Sequence, residues 1–546
     1  MMRWLLLFIC GWVVLLLAGC AGHEHYFQPD ARVGPARSGA PDSVLVTVGR
    51  HYAAHGRVYR WFLGDHYRAL WAMPVTLPVL RLHDLPGQPK PTELGGGFQT
   101  TSITLETADG HRLVARTLDK DPYKTLPKIA RKSFLLRLVR DETSAANPFA
   151  PLALPTLSRA AGIHYATPRF YYVAADDSTF DRLTPNLRGK VVLVEEKFNG
   201  AKTAAHAQLG GARDLVDSDQ ALGRRFRSPA HHFADYQFAR ARLFDLLIGD
   251  WDRHEGQWSW AEYPGKHTFY SPVPKDRDQA FFLFDDGLLP RLASRRWAVR
   301  KLRSFHPRFQ DVPGLAFNAR FLDARVLSAV TTDKFDSLAR ELQTRLPDSV
   351  LRAALAAWPK AIRNAEGERT FATLRARRDA LPEAAAAFSH ALARAPLIVG
   401  TDETDRFEIT RLADGRVRVT RRAEADEIRE DDSDYTRSLK GHLQSRYART
   451  FSPAETRQLR IYGLGGADEF TVRDSSRARS RHPLRIDIYG GEGEDKLSFP
   501  HKSARGVRVY DTQRGIELPE KKIRGLKLKL ADRGDVRVHA FDREGL

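Results

Sequence analysis

LLIGDWDRHEGQWSWAEYPGKHTFYSPVPKDRDQAFFLFDDG, residues 246–287, sets two short polar turns at the ends of apolar elements. Ala241, Phe244, Leu247 and Ile248 recur at three- and four-residue spacing, which predicts the buried face of a helix ending at Gly249. A polar loop from Asp250 to Gln257 follows, then Trp258 and Trp260 in alternation, a Pro264-Gly265 turn, and a second strand through Phe269 and Tyr270. A hairpin returns the chain to where it left. Asp252, Gln257 and Asp276 are therefore expected to converge, although 24 positions separate the outer two. Asp278 is delivered by the same strand as Asp276. Oxygen donors gathered beside a basic residue suit a hard cation, Mg2+ or Mn2+, that holds a phosphate. A carboxylate next to them is placed to accept a hydroxyl proton. The alternative is a structural polar network of Asp252, His254 and Asp276 beneath the two tryptophans.

Asp252-Arg253-His254, with an amide at Gln257 and an acidic residue at Asp276 after the hairpin, resembles the catalytic loop and metal-binding aspartate of atypical protein-kinase-like enzymes. HipA toxins, spore-coat CotH kinases and Golgi casein kinases share this layout. Gly249-Asp250-Trp251-Asp252-Arg253-His254 and Arg277-Asp278-Gln279-Ala280-Phe281 are similar to bacterial regions fused to calcineurin-like metallophosphoesterases and outer-membrane barrels. The resemblance spans roughly residues 60–500. It implies an α+β fold: a two-lobed protein-kinase-like domain followed by a mainly β C-terminal domain. It also implies roles. Asp252 would orient or deprotonate an acceptor and His254 would buttress the loop. Asp276 and Gln257 would hold Mg2+ or Mn2+, with Asp278 as a second carboxylate, and ATP or another phosphoryl donor would be the co-substrate. Gln257 departs from the pattern, since many kinases place asparagine there and the Golgi relatives a glutamate.

Gly95-Gly96-Gly97 precedes a strand hairpin in which Ile103, Leu105 and Thr107 alternate, Asp109-Gly110 turns the chain, and Leu113, Ala115 and Thr117 alternate again. Backbone N–H groups in such a turn approach phosphates, although three glycines are also simply a loop. By position the turn looks like the glycine loop of HipA-like kinases. That likeness makes Gly96, Gly97 and Gln99 nucleotide-binding candidates and leaves Arg116 or Lys120 as the phosphate-pairing base, exposed strand-end charges being the alternative. Lys128 to Val139 has helical periodicity and leads into Arg140-Asp141-Glu142. In kinases a helix carboxylate orients the nucleotide lysine, a part for Glu142 or Asp141 unless they form a solvated helix end. Ala160 to Val173 and Val191 to Phe198 read as strands. The second resembles the hinge between lobes, with Glu195 and Glu196 either holding nucleotide or pairing with nearby arginines. Residues 201–232 are polar and Gly/Ala-rich and read as a flexible insertion, and His231-His232 is not spaced as a metal pair. Arg291 to Trp297 is a basic run that holds substrate anion or pairs on the surface. Residues 320–395 are helical, with Pro347, Pro359 and Pro382 as punctuation.

Arg3, the apolar run Leu5–Leu17 and Leu17-Ala18-Gly19-Cys20 predict a lipoprotein signal peptide over 1–19 and a lipidated Cys20, a plain membrane anchor being the alternative. Ala21 after the cysteine, by resemblance to the bacterial sorting pattern, implies an outer-membrane destination in the cell envelope and leaves an outer-membrane protein open as a partner. Cys10 and Cys20 are the two cysteines of the chain, so a mature protein has no thiol for a disulfide, a thiolate metal site or a catalytic nucleophile. The 546 residues, 42% hydrophobic and 10% aromatic, suffice for two or three domains with real cores. A net charge of +19 favours anionic lipid or a phosphate-containing ligand. Nucleic acid is not expected, because the arginines are dispersed and no recognition motif occurs. Residues 20–60, with Pro29, Gly34, Pro35, Gly39 and Pro41, read as a tether. The stretch from Trp61 to Leu80 reads as an extended segment opening a kinase-like domain over 61–395.

Residues 396–546 read as β-rich. Tyr462-Gly463-Leu464-Gly465-Gly466-Ala467-Asp468-Glu469-Phe470 and Tyr489-Gly490-Gly491-Glu492-Gly493-Glu494-Asp495-Lys496-Leu497 repeat 27 positions apart. The second is close to the Gly-Gly-x-Gly-x-Asp turn of calcium-binding β-rolls, which makes Asp468 and Asp495 Ca2+ candidates; a β-solenoid-like or sandwich cap is the alternative. Together these features lead to a lipid-anchored, kinase-like phosphotransferase. A catalytically inactive kinase-like binding or scaffold protein of the outer membrane is the second reading, and a phosphoesterase-associated module the third. The chain has no Gly-x-Ser-x-Gly elbow for a serine hydrolase and no Gly-Asn-His-Glu block for a two-metal phosphoesterase. Free ATP is scarce outside a bacterial cytoplasm, which fits a different donor or an inactive site.

Overall fold

The computed structural model describes residues 26–35, 42–96, 100–128, 131, 134–423, 447–476, 483–501, 503–519, 521–531 and 541–543. The signal peptide expected over 1–19, Cys20, Gly97 and Gln99 lie outside the described residues. The fold is α+β, with mixed lobes ahead of a β-rich C-terminal region. No helix among the described residues is long and apolar enough to cross a membrane.

The described part of the expected tether is built into the core instead. Strands β1 (Arg32–Pro35), β2 (Ser43–Val46) and β3 (Val75–Pro78) form an antiparallel sheet. Ala31, Val46, Val48 and Tyr52 are buried in the main apolar cluster, and Gln28 is buried with its amide donating to the carbonyls of Thr47 and Val48. The apolar residues between the prolines outweigh the flexible composition. The segment expected to be extended over 61–80 is extended only at its end, in β3; helices Arg57–Leu63 and Arg68–Ala72 take up much of the rest.

Next comes a wholly antiparallel sheet of β4 (Lys90–Gly95), β5 (Ser102–Glu106), β6 (Arg112–Thr117), β7 (Arg169–Tyr172) and β8 (Val191–Glu196), in the order β4-β5-β6-β8-β7. Alternation buries Ile103, Leu105, Ala115, Val192 and Val194 on one face. Of the strand expected over Ala160 to Val173 only Arg169–Tyr172 forms; Ala160 and Ala161 end helix Ala150–Ala161, whose Leu154, Leu157 and Ala161 are buried. Residues 201–232 are likewise ordered, with β9 (Asp214–Asp217), helix Ser218–Arg227 and β10 (His231–Phe233). They flank the hairpin of β11 (Trp258–Tyr263) and β12 (Thr268–Pro274) in a sheet ordered β10-β12-β11-β9. Leu215, Val216, Leu222 and Phe226 supply the buried face that a solvated insertion would lack.

Helix Asp235–Ile248 runs through the core, with Ala241, Phe244, Leu247 and Ile248 buried, and stops at Gly249 in a left-handed cap. Helices Thr332–Arg345, Lys360–Asp379 and Leu381–Ala393 pack against it. The chain then coils between two sheets. β13 (Leu397–Val399), β17 (Gln458–Gly465), β19 (Arg485–Glu492), β21 (Val507–Thr512) and β23 (Lys527–Ala531) are parallel throughout. β14 (Asp405–Arg411), β18 (Glu469–Asp474), β20 (Asp495–Ser498) and β22 (Ile516–Glu517) make the facing parallel set, extended by the antiparallel β15 (Val417–Ala423) and β16 (Tyr447–Phe451). This is a two-faced β-solenoid. The 27-residue repeat is one coil, so Tyr462 lies opposite Tyr489 and the rings of Tyr462, Tyr489 and Tyr510 stack at 4.4 and 4.6 Å.

Candidate functional site

β6 ends at Thr117, so Arg116 and Lys120 emerge together at one end of the first sheet. Glu195 sits on the neighbouring β8, opposite Val114. Across from them, the chain leaving β12 supplies Asp276 and Asp278. Arg116 pairs with both Glu195 and Asp276, and Lys120 pairs with Asp278. Both candidate phosphate-pairing bases thus line the same cavity, each paired with one of the aspartates expected to hold a metal. Glu195 takes the ion-pairing alternative offered for it. Gly96, at φ +107°, turns the β4–β5 hairpin at the same end of the sheet, where Ser102 lies opposite Arg116. A Cβ there would collide with the Thr100 carbonyl, so the turn requires glycine.

Asp276 has a left-handed backbone, φ +50°. A non-glycine residue keeps that conformation only when its neighbours enforce it. Here Arg253 donates to the carbonyl of Lys275 at 2.7 Å on one side, and Arg277 is anchored on Asp245 at 2.9 Å on the other. Burial would raise the Asp276 carboxyl, but Arg116 and Lys120 outweigh it and hold it below the usual range. Burial and the neighbouring Asp276 charge push Asp278 upward. Burial lifts Glu195 to about 7, with Arg116 opposing. Two adjacent carboxylates are thereby driven apart in proton affinity, as expected when like charges share one site.

The hairpin register places Gln257 beside Lys275, whose N–H donates to the Gln257 carbonyl at 2.9 Å. Gln257 therefore pairs through its main chain with the residue before Asp276. The His254 Nδ1 accepts from the Gly256 N–H at 3.1 Å and caps the short turn, a buttress for the loop. Asp252 accepts from the Asn318 amide at 2.7 Å. Arg116, Lys120, Glu195, Asp276 and Asp278 line one cavity of about 70 Å3, whereas Asp252, His254 and Gln257 are not among its lining residues. No group of three or more His, Cys, Asp or Glu side chains suited to a metal ion occurs among the described residues.

Several assignments shift. Glu142 and Asp141 do not reach Arg116 or Lys120. Asp141 is instead gripped by Arg68 through two 2.7 Å hydrogen bonds and by His55 and Tyr59, while Glu142 pairs with His66 at 3.1 Å. Both carboxylates stand at the C-terminal end of helix Phe134–Asp141, which delivers them to the Arg57–Ala72 region. Arg291 to Trp297 is absent from the cleft lining, with Arg296 3.6 Å from Asp311. Asp468 and Asp495 belong to a ladder inside the solenoid: the Asp405 N–H donates to Asp468 at 2.8 Å and the Asp468 N–H to Asp495 at 2.9 Å.

The residue that sequence reasoning missed is Asp245. Fully buried on the central helix, it takes Arg242 at 2.9 Å, Arg277 at 2.9 Å and Arg253 at 3.5 Å, while Arg242 also pairs with Asp323 at 2.8 Å. This network ties the central helix to both polar turns of the site. Its one signal was a carboxylate amid Leu243, Phe244, Leu246 and Leu247.

No family model matches this chain, and no curated protein matches it. Among solved structures, a Helicobacter pylori proinflammatory kinase, CtkA, is similar at 12% identity over 55% of this chain and 94% of that one, with a TM-score of 0.32. A Golgi casein kinase with Mn/ADP bound is similar at 12% identity over 55% of this chain and 72% of that one, TM-score 0.24. Another Golgi casein kinase structure, at 12% identity, covers 63% and 83% with the same TM-score of 0.24. At TM-scores this low the likeness assigns no activity, ligand or residue role to this chain.

Proposed function

We propose that the cleft between the β4–β8 sheet and the β11–β12 hairpin is a kinase-like, metal-dependent phosphoryl-transfer site. The observation that carries this reading is the pairing of Arg116 with Asp276 and of Lys120 with Asp278 across the cleft. Two cations able to bind phosphate oxygens face two carboxylates able to bind a hard cation, and each neutralises the other until a ligand enters. The donor set fits Mg2+ or Mn2+, which take one or two carboxylates and complete their shell with phosphate and water. Bound there, the ion would neutralise phosphoryl charge. Asp276 and Asp278, with Gln257 alongside, would hold it, Arg116 and Lys120 would exchange their carboxylates for phosphate oxygens, and Asp252 would take the acceptor proton. Gly96 would bring the hairpin tip over the phosphates.

The lipobox ending at Cys20 and the charge of +19 support placing this site in a lipid-anchored protein of the bacterial envelope, at the outer membrane. Small-molecule sites usually enclose about 300–1,000 Å3, so a cavity near 70 Å3 must widen to admit a nucleotide. The same closure favours a second reading, a kinase-like binding or scaffold protein whose ion pairs stay shut.

Thermal melting of the full chain with ATP and other nucleotides, with and without Mg2+ or Mn2+, separates the two. Ligand bound to the native state raises Tm by mass action. A metal-dependent rise that disappears in Asp276→Ala is the expected result. No rise with any nucleotide at millimolar concentration would overturn the phosphotransferase reading in favour of the scaffold.

A further inference from the structure

Helix Arg57–Leu63 and helix Leu288–Ala293 pack on each other, with Gly287 so close to Gly64 that a Cβ there would collide with its backbone. His66, buried between Glu142 and Asp286, clamps the junction; burial opposes its charge, but the two carboxylates prevail and lift it to about 9. The outward side of this unit is unusual. Seven of the 13 exposed large apolar side chains among the described residues belong to it: Val58 and Trp61 on one helix, and Leu288, Leu289, Leu292, Trp297 and Val299 on the other segment. Trp297 is 78% exposed and Trp61 62%. Scattered surface leucines are ordinary, but two open tryptophans amid clustered leucines are not.

The charge beside them is one-sided. Between Asp286 and Asp311 the chain has no acidic residue, while Arg291, Arg295, Arg296, Arg300, Lys301 and Arg303 all fall there. The acidic groups facing the patch are few and engaged: Asp311 is shared by Arg296, Arg300 and Arg303, Asp285 pairs with His306, Asp286 with His66, and Asp65 with Arg60. Tryptophan and leucine set among arginines are the side chains that settle at a bilayer interface with anionic headgroups.

Chain length points the same way. The apolar run Leu5–Leu17 ends nine residues, and Cys20 six residues, before Tyr26. At about 3.3–3.6 Å per residue, either mode of attachment keeps Tyr26 within roughly 30 Å of a membrane. Tyr26 and Tyr59 both hydrogen-bond Asp141, at 3.4 and 3.0 Å, so the chain enters the fold at the foot of the Arg57–Leu63 helix. We propose that the surface made by Arg57–Leu63 and residues 288–299 is a membrane-seating face that lays Trp61, Trp297 and Leu292 into an anionic bilayer, with Arg291, Arg295 and Arg296 on lipid phosphates. The anchor fixes the protein to the membrane and this face fixes its orientation. The proposal is independent of the chemistry in the cleft.

The test uses the full chain carrying Cys10→Ser and Cys20→Ser, held by its apolar run Leu5–Leu17 and reconstituted into phosphatidylcholine vesicles with or without phosphatidylglycerol. A spin label is placed at Leu292→Cys or, as a distant control, at Glu368→Cys, which is 81% exposed. Immersion is read as the ratio of collisions with oxygen to collisions with a water-soluble nickel complex. A several-fold rise at position 292 in the anionic vesicles, with none at 368, is expected. Adding Trp61→Ser, Trp297→Ser, Arg295→Glu and Arg296→Glu should bring the 292 signal down to the control while the protein stays anchored. Position 292 remaining as wet as 368 in every vesicle would overturn the proposal. So would equal immersion with and without phosphatidylglycerol, or shielding in detergent that grows with protein concentration, which would mark contact between copies instead.

Discussion

Asp276, half-buried in the cleft, and Asp245, fully buried on the central helix, hold their places differently. Asp276 gains nothing for the fold from its left-handed backbone, and that strain is held by Arg253 and Arg277 on either side. Asp245 is the reverse, a structural carboxylate with three arginines and no exposure. Asp245→Ala would strand those guanidinium groups in the core, and a loss of about 3–5 kcal/mol in urea unfolding is expected. Asp252→Ala removes only the hydrogen bond from Asn318, so a loss of about 1 kcal/mol is expected, together with loss of phosphoryl transfer in any assay that detects it. A loss as large as that of Asp245→Ala would instead make Asp252 part of the structural network. The hairpin brought the Gln257 carbonyl onto the Lys275 N–H, one residue before Asp276, while neither Gln257 nor Asp252 lines the cavity that Asp276 lines. Spacing left Arg116 and Lys120 unresolved, because both leave the end of β6 on one side and each finds its own carboxylate.

Among elements, the central helix and its Gly249 stop were legible because periodicity and a C-terminal glycine are local signals. The solenoid was half legible. Its 27-residue repeat appears in sequence, but the coils at 397–411 and 507–531 carry weaker copies. The ladder of Asp405, Asp468, Asp495 and Asp511 is buried along the inside of these coils. Burial, reinforced by Asp495 and Asp405, lifts the Asp468 carboxyl from 3.8 to about 8, and burial lifts Asp495 to about 7. The folded protein thus keeps protons that the unfolded chain releases above its ordinary carboxylate pKa. Stability therefore falls as pH rises from about 4 to about 8, by up to about 1.4 kcal/mol per pH unit for each such group, and levels off above. Asp468→Asn keeps the Oδ1 acceptor for the Asp405 N–H and removes the titration. Its Tm should decline less than the wild-type Tm between pH 5 and pH 8; an identical decline would mean that Asp468 does not hold the proton.

Across the whole molecule, the main core draws on residues from Ala31 to Phe388 and reaches Leu464 in the solenoid. Removing residues 26–56 should therefore abolish a cooperative melt, not merely free a tether, because Tyr52, Val46 and the Gln28 hydrogen bonds go with them. A truncated chain that melts like the full one would make that segment peripheral. The sequence by itself determined the helix before Gly249, the Trp258–Pro274 hairpin, the helical run after residue 320 and the shift to strands after Pro396. Each rests on side chains a few positions apart, whose periodicity marks a buried face. Only the tertiary structure decided which charges meet. Lys120 and Asp278 are 158 positions apart, and Arg68 reaches Asp141 across 73. Such pairs leave no local pattern, since their partners are chosen by how the lobes pack and by the need to neutralise every charge that packing removes from water.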